Sequence, residues 1–178
     1  MHIKRTLALG ATLLSLAAVT ACGGSDEGTS DSDLPSASDM ASVEEYLTTF
    51  VTCANLTTGD EYDDSGRSTA WGEEEAADAS WAIGERAVCQ DRNGAPIALL
   101  TIKDMKKFQT AADRDGHASF LVGQNFAVVP VGGDTVEGLK ASRLKYLTCD
   151  PDFTVPSGFE KEQGLVSGCF LTDHFPTD

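Results

Sequence analysis

Five cysteines and three histidines are the chain's candidates for nucleophilic or metal chemistry. Cys53, Cys89, Cys149 and Cys169 are widely spaced, with no C-x-x-C pair and no histidine beside them. Zinc sites favour short ligand spacings, so the pattern argues against a zinc site. An even set of four in an exported domain points to two disulfides instead. Three pairings are open. Proximity along the chain favours Cys53–Cys89 and Cys149–Cys169. Paired in this way, none of the four is left as a thiol nucleophile. His117 follows Asp113 and Asp115 and precedes Ser119, which raises the idea of a hydrolase using His117 with carboxylates. Such sites are assembled in space, so neighbourhood in sequence is no support. The chain has no G-x-S-x-G elbow. A turn histidine beside aspartates is more commonly a surface residue, and His174 in a polar tail reads the same way.

A second chemistry is carried by acids. Asp60, Glu61, Asp63, Asp64, Glu73, Glu74, Glu75 and Asp78 lie close together, with Arg67 the single base among them. From Glu61 the oxygen ligands and Gly66 follow the opening of a calcium loop. The pattern then breaks, because its twelfth position is Gly72 rather than a bidentate glutamate. A solvated acidic loop is the plain reading, with weak calcium binding as the alternative and no other cofactor expected. Glu73–Glu75 and Asp78 read as a solvent face, or as a docking surface for a basic envelope protein or peptide. Trp71 and Trp81 flank this segment. They are candidates for a ligand groove, or simply lids of a small core.

The elements that must hold these residues are legible in part. Ser42 and Glu45 form a capping box, and Val43, Tyr46, Leu47, Phe50 and Val51 recur on one helical face running to about Cys53. Residues 85–90 read as a strand, Asn93-Gly94 as a hairpin turn, and residues 96–102 (PIALLTI) as a second strand. Asp104 caps a helix from Met105 to about Arg114, and Gly116 stops it. The order then repeats about 30 residues on. Residues 119–122 and 126–131 are strands around Gly123-Gln124-Asn125. A helix opens at Asp134 and Glu137, with apolar positions at Val136, Leu139, Leu144 and Leu147. The remainder from Cys149 is mainly loop, with a short strand through Cys169, Phe170 and Leu171. The expected architecture is α+β: an antiparallel sheet of about four strands, helices packed on one face, and two disulfides.

Ahead of this domain, residues 41–178, lies an address. Lys4 and Arg5 precede an uncharged run from Thr6 to Ala21, shorter than the roughly 20 apolar residues that span a bilayer. Residues 1–21 read as a signal peptide. Val19-Thr20-Ala21-Cys22 resembles the bacterial lipobox, a resemblance that covers the first 22 residues. It implies a diacylglycerol thioether on Cys22, an anchor to the outer face of the cell membrane, and a mature chain that begins there. Two acyl chains hold stably where one is marginal. Residues 22–40 then form a flexible acidic tether, rich in Gly, Ser and Asp. The stretches DMKKFQTAAD and FLVGQNFAVVPV resemble those of small secreted, lipid-anchored proteins of actinobacteria, a group that brings no established activity.

Loss of residues 1–21 removes two bases and moves the net charge from −15 to −17. That balance argues against nucleic acid, whose affinity depends on neutralising phosphates. The resulting expectation is a membrane-anchored, non-enzymatic binding or interaction module. The envelope hydrolase and a purely structural envelope protein are the alternatives.

Overall fold

A computed structural model describes residues 33–58, 61–62, 69–116 and 119–176. Cys22 and the signal region, Asp60, Asp63, Asp64 and His117 lie outside the described residues. The described chain is α+β. It contains helices α1 (Met40–Thr48), α2 (Glu73–Ala77), α3 (Met105–Asp115) and α4 (Gly133–Leu139), with a 3-10 turn at Ala79–Trp81. The strands are β1 (Ala54–Thr58), β2 (Ile83–Gln90), β3 (Pro96–Ile102), β4 (Phe120–Val122), β5 (Phe126–Pro130), β6 (Lys145–Thr148), β7 (Lys161–Gln163) and β8 (Phe170–Thr172). All pairings are antiparallel, in the order β1-β2-β3-β5-β4-β6-β8-β7. The sheet thus has eight strands rather than about four.

The largest departure is β6. Leu144 and Leu147 read as a continuation of the last helix, yet α4 ends at Leu139 and residues 145–148 pair with β4 and β8. A short apolar run fits both periods, and here the open edge of β4 decides for strand. The first helix also differs at both ends. Asp39 is the N-cap, accepting from the Ser42 backbone N–H at 2.8 Å, and α1 stops at Thr48 instead of reaching Cys53.

Helices cover both faces of the sheet, not one. Alternate residues of β3 point to opposite sides. Ile97 and Leu99 pack with Val43, Leu47 and Leu139 of α1 and α4. Leu100 and Ile102 pack with Phe108 and Ala111 of α3 and with Trp81. The two hairpin-plus-helix units therefore send α3 and α4 to opposite sides. Each face carries one disulfide, Cys53–Cys89 on the α1 side and Cys149–Cys169 on the α3 side. Both pairings are those expected from proximity along the chain.

Residues 33–39, read as the end of a tether, are fastened to the domain. Asn125 accepts from the Ala37 N–H at 3.0 Å and donates from Nδ2 to the Ala37 carbonyl at 2.6 Å. The Gln124 N–H and its side-chain amide donate to Pro35 and Leu34 carbonyls, each at 2.8 Å. Arg143 pairs with Asp33. The close approach requires glycine at 123, where a Cβ would lie 2.5 Å from the Pro35 carbonyl oxygen and 2.3 Å from the Phe126 ring.

Candidate functional site

The acids of the 60–78 segment that can be placed do not converge. Glu73, Glu74 and Glu75 form the first turn of α2, where consecutive side chains are about 100° apart and fan outward. Glu73 and Glu74 are exposed, as is Glu61. Asp78 has a structural role: it caps the 3-10 turn, accepting from the Ser80 N–H at 2.8 Å and the Ser80 hydroxyl at 2.9 Å. Those donors, the backbone N–H first, hold its carboxyl below the usual range. Among the described residues, three metal-ligating atoms come together only at Asp113, Cys149 and Cys169. Both sulfurs there are committed to a disulfide.

The two tryptophans are core residues. Trp81 is 3% exposed, and its ring meets Trp71, Phe108 and Phe120 edge-on at 5.3, 5.7 and 6.3 Å. Trp71 also meets Phe120 at 4.8 Å and keeps partial exposure. What fixes this arrangement is Arg86, which is 7% exposed and was not singled out in the sequence. Its guanidinium donates to the carbonyls of Ala70 and Trp71, each at 3.0 Å. The segment is thus pinned against β2 by a buried cation, and a groove between the two indoles does not form.

A different site opens on the α1 side. α1 lies over β2 and β3, and the seven-residue α4 touches β5. The ends of β4 and β6 are left to loops. A cleft of about 360 Å3 forms there. Leu121 of β4 and Tyr146 of β6 belong to the buried core at its base, with Phe175 from the C-terminal tail. Val136 of α4 and Phe153, from the loop after β6, are half-buried on its walls. Val131 stands at the rim, 49% exposed. Polar side chains enter at one point: the Ser119 hydroxyl and the Tyr146 hydroxyl lie 3.1 Å apart, and either can donate. The Tyr146 and Phe153 rings are tilted by 33° with centroids 5.3 Å apart. Among the described residues, none that lines this cleft is charged.

Three other clefts have volumes of about 330, 280 and 190 Å3. Each is lined by charged residues, for example Asp91, Arg92, Asp134 and Glu137 in the first. In the first two of these clefts the charges are spent on structure. Asp91 accepts from the Asn93 and Ala95 N–H groups and from the Thr135 hydroxyl, and Arg92 pairs with Asp134 at 3.1 Å. Lys145 bridges Glu160 and Glu162 at 2.6 and 3.4 Å.

Sequence reasoning did not reach the uncharged cleft. A signal was present: Phe153 and Phe175 are aromatic residues in a segment otherwise rich in Gly, Pro and Asp. Aromatic side chains in such a loop need a surface to pack on. Comparison with family models, with curated proteins and with solved structures gives no match. No helix of the described residues is long and apolar enough to cross a membrane.

Proposed function

We propose that the protein is an extracytoplasmic lipoprotein, anchored by Cys22 to the outer face of the cell membrane, that acts by binding through the cleft over β4 and β6. The observation that carries the binding reading is the cleft itself: apolar walls with a single paired-hydroxyl point, in the size range of ligand pockets. The anchor rests on the lipobox resemblance of residues 19–22. Two disulfides in a chain of this length accord with an oxidising compartment. On this reading the acids of α2 serve solubility and the approach of partners rather than holding a ligand.

Two variants test the proposal. Cys22→Ser should leave the membrane fraction or retain its signal peptide. A processed variant that stays membrane-bound overturns the anchor. For the site, the protein is isolated from its own envelope and weighed intact under native conditions. A bound small molecule should be present on the parent, lost with Val136→Arg, and kept when Glu73, Glu74 and Glu75 are reversed to lysine. Loss on charge reversal alone would move the site to α2.

A further inference from the structure

Resting on the cleft as the binding site, we infer that it takes an uncharged amphiphile: an apolar body carrying one hydroxyl or carbonyl group. The argument begins with the lining. Charged residues make up 23% of the chain, and each of the other three clefts includes several. Among the described residues, none lines this one. A carboxylate or phosphate brought here would be desolvated with no cation to meet it, inside a protein whose formal net charge is −15. A cation would find no carboxylate among the described lining residues either. Its remaining attraction would be to aromatic faces. Of the aromatic residues in the lining, Tyr146 and Phe153 already pack against other rings. Phe153 sits against Tyr146 at 5.3 Å, Phe170 at 6.0 Å and His174 at 6.1 Å.

What the walls do offer is aliphatic and aromatic surface from Leu121, Val131, Val136 and Phe175. Burial of such surface stabilises an apolar body in proportion to the area removed from water. Among the described residues, the Ser119 and Tyr146 hydroxyls form the one side-chain polar contact point of the lining. A hydroxyl carries one donor and two acceptor positions, so Ser119, which either donates to Tyr146 or accepts from it, can meet a ligand hydroxyl or carbonyl. One polar point in an apolar cleft fixes the orientation of a ligand with one polar group. A ligand with several would leave the others unsatisfied. The same chemistry could come from a neutral glyceride of the bilayer or from a water-borne alcohol or ketone.

Three ten-carbon probes separate the possibilities: 1-decanol, decanoate and decyltrimethylammonium, each below its aggregation concentration, added to the full mature protein. Ring resonances of Tyr146 and Phe153 report occupancy. The Trp71 and Trp81 resonances report folding, because they lie in the other core. Saturable shifts with decanol are expected, with decanoate and decyltrimethylammonium weaker by at least about tenfold, equivalent to about 1.4 kcal/mol. Val136→Arg should abolish them. Val131→Glu, at the exposed rim, should weaken decanol severalfold while sparing the fold. Equal or tighter binding of either charged probe overturns the ligand class and leaves the cleft as the site. Absence of any shift, with an envelope-derived adduct still lost in Val136→Arg, does the same. Absence of both overturns the site as well. The mass of the adduct on the parent distinguishes a glyceride from a water-borne ligand.

Discussion

The two faces of the sheet are filled in different ways. On the α3 side, Trp71, Trp81, Phe108 and Phe120 interlock edge to face, with neighbouring centroids between 4.8 and 6.3 Å apart. Each ring closes the gap left by the next. On the α1 side, Tyr146, Phe153 and Phe175 stand around an opening rather than filling it. Part of the difference traces to what supplies the rings, while Trp71, a loop residue, is held in the closed core by Arg86. Phe108 lies on an eleven-residue helix and Phe120 on a central strand, so their positions are set by regular hydrogen bonding. Phe153 and Phe175 come from loops that follow β6 and β8. Regular elements close a core, and loops at the edge of one leave room for a ligand.

Truncation should separate the faces most sharply. Trp81→Ala removes a ring that three others touch, and such substitutions cost about 3–5 kcal/mol. Phe153→Ala removes a half-buried ring beside an existing opening, with an expected cost nearer 1 kcal/mol. Urea unfolding of the two variants at neutral pH measures the gap. Equal losses would mean that the cleft wall is as integral to the fold as the aromatic core, and the comparison fails.

The covalent staples should be more alike. Cys53–Cys89 spans 36 residues and Cys149–Cys169 spans 20. Loop-closure entropy depends only on the logarithm of that length, so both contribute about 3–4 kcal/mol at 25 °C. Paired alanine replacements of each bridge should shift stability to a similar degree. A bridge whose removal abolishes folding while the other is tolerated would show that one face assembles only around its disulfide.

Much of this division was open to sequence reasoning, though it was only half taken. Asn93-Gly94 and Asp104 mark a hairpin and a helix start by local chemistry, and both appear where expected. The run PIALLTI has no polar alternation, and a strand buried on both faces reads in that way. That run argues for helices on both sides, against the single covered face expected from the sequence. The short strands β1, β6 and β7 were not legible, because three to five residues cannot establish a period and tertiary pairing decides them. The cleft was not legible for a related reason. Ser119, Val136, Phe153 and Phe175 share no spacing, and they meet only through the order in which β4, β6 and β8 lie side by side.

The smallest effect contrasts two capping carboxylates, one on each face. Asp39 opens α1, and the Ser42 N–H, followed by the Ser42 hydroxyl, holds its pKa below the ordinary 3.8. Asp78 opens the 3-10 turn that carries Trp81, and the Ser80 N–H, then its hydroxyl, do the same there. In both cases the folded state binds its proton less readily than the unfolded chain. The stabilisation is therefore complete above the ordinary carboxylate range and is lost as pH falls through the depressed folded value. Alanine at either position removes it. The stability gap between parent and variant should be constant from about pH 6 down to about pH 4.5 and close below that. The spectroscopic result should differ between the two. Asp78→Ala loosens the turn at Trp81 and should reduce near-ultraviolet circular dichroism. Asp39→Ala acts on the face whose core cluster holds no tryptophan and should leave that signal unchanged. A gap that widens on acidification would overturn the capping assignment, since only a group with a raised folded pKa behaves that way. An equal loss of the aromatic signal in both variants would show that the two faces are coupled through the sheet, and that the closed core and the open one cannot be treated as separate.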